Sequence, residues 1–161
     1  MALNVYMTVK GLKQGQMNGG VILKGREGSI AVFAVAHEIV SPRDAASGLP
    51  TGKRQHKPLT ITKEIDKASP LLFKSLVTNE TLTEVVLKFY APNAAGIEVN
   101  NYIIKLTNAT IVSIDTDMQD NKIEPGSKLP VLEEASFVYQ KIEWTWVDGG
   151  ITTSDNWLAT V

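Results

Sequence analysis

The chain has no cysteine among its 161 residues, and it has only two histidines. The missing cysteines exclude disulfide bonds, thiol nucleophiles, iron–sulfur clusters and zinc sites built from thiolates. Two histidines cannot build a three-histidine zinc site, and no G-x-S-x-G motif is present to expose a serine nucleophile. The composition therefore predicts no metal centre and no cofactor, and it shows no recognisable catalytic machinery.

Long apolar runs and a dominant charge are also absent. No segment approaches the roughly 18 apolar residues of a membrane-spanning helix, and the N-terminus lacks the basic and apolar regions of a secretory signal. The 16 Lys and Arg side chains nearly balance the 17 Asp and Glu side chains, for a net charge of −1. We therefore expect a protein made in the cytoplasm, with no membrane insertion and no nucleic-acid partner.

What is present is the alternation of apolar and polar residues that is typical of half-buried β-strands. It predicts strands over residues 3–9, 58–65, 83–90, 101–106, 109–114 and 136–146, and a longer strand over 30–40. One helix is predicted over residues 66–79, where Ser69-Pro70 is typical of a helix start and Leu72 and Leu76 share a face. We expect a single domain over residues 1–161, an antiparallel β-barrel or sandwich of about seven strands with one short α-helix packed outside.

Two of the predicted strands, 30–40 and 136–146, carry apolar residues on both faces. One face of an antiparallel sheet normally meets water unless something covers it. A second apolar face indicates contact with another subunit. Burial of both faces inside one sandwich and beneath its helix is an equally good explanation.

The segment that stands apart is residues 41–58. It contains three prolines, two glycines and four Lys or Arg against one Asp, and it is too long for an ordinary connection in a small β domain. Residues 48–54 superficially resemble a phosphate-binding loop. However, three residues separate the glycines where four are needed, and Arg54 occupies the Ser/Thr position. The sequence therefore favours an extended loop that reaches another surface.

Three long segments of the chain resemble one known family. They are SPRDAASGLPTGKRQHKPLTITKEIDKASPLLFKSLVTNETL (41–82), ASFVYQKIEWTW (135–146) and DGGITTSDNW (148–157). They are similar to the haemolysin-coregulated protein (Hcp) family, the tube proteins of bacterial type VI secretion systems. With the start of the chain (Val5 to Gly11) and the segment REGSI (Arg26 to Ile30), the resemblance covers nearly the whole chain.

The resemblance implies a structural protein rather than an enzyme. It implies a β-barrel that assembles with itself into homohexameric rings, which stack into a tube that a contractile sheath expels from the cell. VgrG-type spike proteins, sheath proteins and effectors carried in the ring lumen are the implied partners. Export would then need no signal peptide, and the chain would carry no effector domain after residue 161.

A cyclic ring needs two different contact patches on each subunit, and a long loop is one way to supply a patch. We therefore interpret residues 41–58 as an assembly loop, with Lys53, Arg54 and Lys57 pairing with acidic groups across a junction. The candidate interface residues are Ser41, Pro42, Arg43, Asp44, Leu49, Pro50, Thr51, Lys53, Arg54, Gln55, His56 and Lys57. Three small side chains are candidates for facing the lumen, namely Ala31, Ala34 and Ala36.

Two other functions remain open at this stage. The first is a small-ligand-binding or hydrolytic β-barrel in which His37 or His56 takes part. The second is a phage-like tail-tube protein, which shares the physics of rings and differs in its genomic setting.

Overall fold

A computed structural model describes residues 3–157 of the chain. Within that range it contains eleven β-strands, one α-helix and a short 3₁₀ turn, and none of its helices is long and apolar enough to cross a membrane. The elements are β1 (Asn4–Gly11), β2 (Gly15–Gln16), β3 (Ile30–Val32), β4 (Ala34–Ala36), β5 (Ile39–Val40), β6 (Gln55–His56), β7 (Leu59–Glu64), α1 (Ser69–Val77), β8 (Leu82–Pro92), β9 (Glu98–Asp117), the 3₁₀ turn (Gly126–Lys128), β10 (Leu132–Trp146) and β11 (Ile151–Asn156).

Nine of these strands form one antiparallel sheet. Its order is β2-β1-β8-β9-β10-β7-β4, with β3 also on β1 and β11 also on β10, while β5 and β6 pair with each other. The chain passes directly from β3, which pairs with β1, to β4, which pairs with β7 at the other end of the order. The backbone N–H of Phe33, between them, donates to the carbonyl of Thr62 at 2.7 Å. This crossing brings the two ends of the sheet together and confirms the predicted β fold with one short helix.

The core is the face that the alternation predicts. Met7 and Val9 on β1, Leu59 and Ile61 on β7, Val85 and Leu87 on β8, Leu106 on β9 and Phe137 on β10 are fully buried. Helix α1 contacts β9 and places Leu72 and Ser75 inward, while the opposite side chains of the helix meet solvent. At about 25 cal/mol per Å² of apolar surface removed from water, this shared face is what holds the sheet and helix together.

The structure corrects four details of the predicted elements. The strand expected over 30–40 is three short strands, because the chain changes partners at Phe33 and pairs with β6 from Ile39. The strands expected over 101–106 and 109–114 are one strand of 20 residues. Helix α1 is shorter than 66–79, and its N-cap is Ala68, because the Ser69 hydroxyl accepts the Asp66 N–H and donates to Glu133 instead. Strand β11 was not predicted, because most of its side chains are exposed and polar and give no alternation.

Three residues that lie side by side on neighbouring strands mark a change in which alternate positions of each strand point into the core. Thr83 on β8, Asn108 on β9 and Gln140 on β10 lie level with one another. The residues just before and just after them on the three strands are paired. On β9 the buried positions change from Ile104 and Leu106 before Asn108 to Ala109 and Ile111 after it. Asn108 has a φ of 50°, in the left-handed region that asparagine tolerates better than most residues. Its side-chain amide donates to the Gln140 side-chain oxygen at 2.9 Å.

An ion pair lies inside the core beneath the start of α1. Lys63 is 0% exposed and Glu133 is 2% exposed, and the Lys63 Nζ lies 2.6 Å from Glu133 Oε1. The same ammonium donates to the Ser69 hydroxyl at 3.0 Å and lies 3.0 Å from an Asp66 carboxylate oxygen. Because Asp66 and Ser69 belong to the start of the helix, this pair ties α1 to β7 and β10.

Candidate functional site: the projecting arm and its anchor

Residues 41–54 form an ordered hairpin, which we call the arm, rather than an irregular loop. Its two legs begin in the β5–β6 pair, where Ile39 lies opposite His56, and continue through a bridge between Arg43 and Pro50. At the tip, Asp44 accepts hydrogen bonds from the backbone N–H and the hydroxyl of Ser47, both at 2.7 Å. Gly48 has a φ of 73°, which an L side chain rarely adopts and which closes the turn.

Most of the predicted interface residues lie exposed along this arm. Pro42 and Arg54 are half-buried and His56 is buried, while the other nine meet solvent, namely Ser41, Arg43, Asp44, Leu49, Pro50, Thr51, Lys53, Gln55 and Lys57. Leu49 exposes 64% of its surface near the tip. Asp44 is engaged locally, since it accepts the Ser47 hydroxyl proton.

Arg54 and His56 are engaged within their own chain, and the expected pairing of Arg54 across a junction stays a prediction. The Arg54 guanidinium donates to both carboxylate oxygens of Asp155 on β11, at 2.5 and 2.8 Å, and to the backbone carbonyl of Asn156 at 2.9 Å. This bidentate geometry is the strong form of the pair. The Arg54 hydrogen bond, followed by that of His56, holds the pKa of Asp155 below its ordinary value.

A single phenolic hydroxyl holds both legs of the arm at its root. The Tyr139 hydroxyl on β10 lies 2.7 Å from His37 Nε2, just before β5, and 2.7 Å from His56 Nδ1 on β6. The other nitrogen of His56 lies 2.7 Å from Asp155 Oδ2, and the Trp157 ring packs against the same imidazole. We call the set His37, Tyr139, His56, Asp155 and Arg54 the anchor.

Burial shifts the pKa of two members of the anchor. Tyr139 is 3% exposed, and its burial, followed by the nearby Asp155 charge, raises the pKa of its hydroxyl above the ordinary value. Burial, followed by the charge on His56, lowers the pKa of His37. Both nitrogens of His56 are occupied and the residue is 4% exposed. This imidazole is therefore not arranged to act as a base on a bound substrate.

The anchor was missed by sequence reasoning, although its residues were all visible. His56 and Arg54 were assigned to the exposed loop, and Asp155 was seen only as part of the family-like segment. Their partnership depends on β11 returning alongside β10, where Ile142 lies opposite Asp155. No local pattern predicts a contact between residues about a hundred positions apart.

The three alanines proposed for the lumen share one face of the sheet. Ala31 lies opposite Tyr6 on β1, while Ala34 and Ala36 lie opposite Thr62 and Thr60 on β7. Ala34 and Ala36 are exposed and Ala31 is half-buried. All three point away from the core, whose residues alternate with them. Across residues 3–157, no cluster of three or more His, Asp or Glu side chains is arranged to hold a metal ion.

Comparison with known proteins gives a consistent result. The family profile described as "Type VI secretion system effector, Hcp" matches residues 6–146. The chain is 40% identical over 171 aligned positions to the "Major exported protein" of Pseudomonas aeruginosa, covering 100% of this chain and 99% of that protein. A mutant form of Hcp1 from E. coli EAEC 042 superposes with a TM-score of 0.86 at 38% identity, covering 97% of this chain and 99% of the other.

A second solved structure, the secreted protein Hcp3 from Pseudomonas aeruginosa, has a TM-score of 0.81 at 33% identity and covers 98% of this chain and 100% of that one. These relatives define a class of secreted tube proteins of type VI secretion systems. The chain belongs to the Hcp family.

Proposed function

We propose that this chain is the building block of a type VI secretion tube, assembling into hexameric rings that stack and are expelled. The observation that carries the proposal is the arm, an exposed hairpin fixed at its root by buried hydrogen bonds. The family supplies the tube function, and the arm supplies a surface for self-assembly. The arm either crosses to a neighbouring subunit in the ring or reaches the next ring of the stack.

An ordered arm is well suited to this role. Binding loses free energy when it must immobilise a flexible segment, and pre-organisation removes much of that cost. Here the bridge between Arg43 and Pro50 and the turn at Gly48 already define the arm. The exposed Leu49 at the tip offers apolar contact, and Lys53 and Lys57 offer charge for acidic groups on another subunit.

The remaining parts of the proposal follow from the family. The face that carries Ala31, Ala34 and Ala36 lines the lumen, where small side chains leave room for effector proteins. VgrG-type spike proteins and sheath proteins are the other partners. The protein is made in the cytoplasm and leaves through the secretion machine without a signal peptide, and we propose no catalytic activity for it.

Shortening the arm tests its role directly. Removing residues 44–49 joins Arg43 to Pro50, which already lie opposite each other, and leaves Arg54 and His56 in place. Size-exclusion chromatography with light scattering measures the ring, and negative-stain microscopy measures the stack. We expect the full-length chain to form rings and the shortened chain to lose either the ring or the stack.

A matched control removes residues 94–96 from the tip of the β8–β9 hairpin, another exposed turn, in which Asn93 receives the Ile97 N–H. This control is expected to leave assembly as it is in the full-length chain. Rings and stacks that survive removal of residues 44–49 at the same protein concentration would count against the arm as an assembly element.

A further inference from the structure

Both legs of the arm contact the same oxygen atom on β10, that of the Tyr139 hydroxyl. His37 immediately precedes the first leg and His56 lies in the second, and each places a ring nitrogen 2.7 Å from the Tyr139 hydroxyl. A hydroxyl has one proton to donate and two lone pairs to accept with. The protonation of one imidazole therefore constrains the protonation of the other.

With both imidazoles neutral, every proton has a partner. His56 donates from Nε2 to Asp155, so its Nδ1 accepts the Tyr139 proton, and the Tyr139 oxygen accepts the N–H of His37. An extra proton on His56 reverses the hydroxyl, because Nδ1 now donates to Tyr139 and Tyr139 donates to His37 Nε2, whose own proton has then moved to the Nδ1 atom of the same ring. An extra proton on the far nitrogen of His37 leaves the first arrangement unchanged.

A second extra proton does not fit. Both facing nitrogens would then donate to Tyr139, and the hydroxyl proton would lose its imidazole acceptors. Two positive rings would also stand around one oxygen, and like charges at this separation disfavour each other. Asp155, itself paired with Arg54, offsets charge on His56. The charged side chains of Glu38 and Lys57 line the open hollow beside His37.

We propose that His37, Tyr139 and His56 form a proton-operated latch, closed at neutral pH, that releases the arm in mildly acidic solution when both imidazoles become charged. The position of His37 supports this role, because its half-buried ring gives protons access while the other two groups are buried. The pKa of His37 is lowered, which is the direction that a latch opened by acid requires. A histidine whose pKa is depressed in the closed state takes up a proton on opening, so the closed state weakens as pH falls below about 6.5.

The first experiment follows the two imidazoles by histidine-selective NMR in the untagged chain, which contains only two histidines. His37 is expected to titrate below its ordinary pKa in the wild type, and to move towards that value in His56→Gln, which removes the opposing charge. An unchanged His37 titration in a folded His56→Gln variant would overturn the latch. If that variant does not fold, the next experiment decides by itself.

The second experiment measures hydrogen exchange by mass spectrometry in peptides covering residues 41–54, at about pH 7.5 and about pH 5, on either side of the histidine range. After correction for intrinsic exchange, uptake of one proton on opening raises exchange by up to about tenfold per pH unit. The wild-type arm is expected to show this rise, while residues 147–150 at another hairpin tip are not.

His37→Gln is the deciding variant. Its amide can still donate to Tyr139 but carries no second charge, so its arm is expected to stay protected at both pH values. An equal acid-induced rise in wild type and His37→Gln would overturn the proposal. Any effect on ring stacking rests on the proposed function and is scored separately by light scattering. Loss of arm protection without a change in assembly would therefore keep the latch and refute the arm's role.

Discussion

Replacing Lys63 by methionine would remove the cation from the buried pair beneath α1. Methionine has a similar length and shape, so the change leaves little cavity and isolates the loss of charge. Glu133 would keep one hydrogen bond, from the Ser69 hydroxyl at 2.7 Å, and would lose its contact with the ammonium at 2.6 Å. Its second carboxylate oxygen is buried and has no hydrogen-bond partner among residues 3–157.

The expected cost follows from this geometry. Removing one member of a buried ion pair leaves an uncompensated charge and costs about 3–5 kcal/mol. A domain of this kind is stable by about 5–15 kcal/mol, so the variant would lose a large fraction of its stability. Replacing both residues by apolar ones of similar size is often neutral. Asp66 is partly exposed and can turn to water, so Lys63→Met with Glu133→Leu is expected to recover most of the loss.

Urea unfolding at one fixed protein concentration measures both variants, because assembly of the kind proposed makes stability depend on concentration. The single variant is expected to lower the midpoint strongly with little change in slope, and the double variant is expected to restore it. Hydrogen exchange in α1 should rise in the single variant, since Asp66 and Ser69 lose the ammonium that ties them to the sheet. A loss below about 1 kcal/mol for Lys63→Met, the range of exposed pairs, would refute the reasoning.

Three further outcomes are expected. Phe137→Ala, at a fully buried ring, should destabilise by about 3–5 kcal/mol in urea, while Phe33→Ala, at a ring 55% exposed, should cost far less. Gly11→Ala should lower the melting temperature because its Cβ would overlap the Glu80 carboxylate, whereas Gly20→Ala has open space and should be neutral; equal effects would contradict this. A hydrogen bond from the Gln14 backbone lowers the pKa of Glu80, so its stabilisation is present above about pH 4.5 and is lost as pH falls through the lowered value. Melting curves of Glu80→Gln should therefore depend less on pH in that acid range.

The sequence predicted the buried face of the sheet well, because alternation reports directly which side chains avoid water. The same alternation puts Lys63 on the face of Leu59 and Ile61, where it is buried in its pair with Glu133. The alternation could not predict that pairing, since β7 and β10 are far apart in the sequence and become neighbours only in the folded sheet. The exposed strand β11 has no apolar alternation and was not predicted. Asp155, the partner of Arg54 and His56, lies on that strand and was therefore not identified as their partner.

The change of partner at Phe33 was invisible for a different reason. The apolar residues from 30 to 40 suit one strand as well as three, and only the hydrogen-bonding partners separate the cases. Ile30–Val32 pairs with β1 and Ala34–Ala36 pairs with β7, at opposite ends of the sheet order. A local pattern records how a residue meets water, and it does not record which strand lies beside it.

Thr83, Asn108 and Gln140 lie side by side on three strands, although they are far apart in the sequence. A change of chain length at one of them therefore affects the register of the other two strands. Deleting Asn108 alone would bring the side chains on one side of the cut to the wrong face of β9, since strand side chains alternate with a period of two. Deleting all three would keep β8, β9 and β10 matched to one another and would also remove the bulge at Thr83, because Lys10 pairs with Glu84 and Gly11 with Leu82. Single-residue insertions and deletions at these three positions are therefore coupled across the sheet, whereas substitutions there are not.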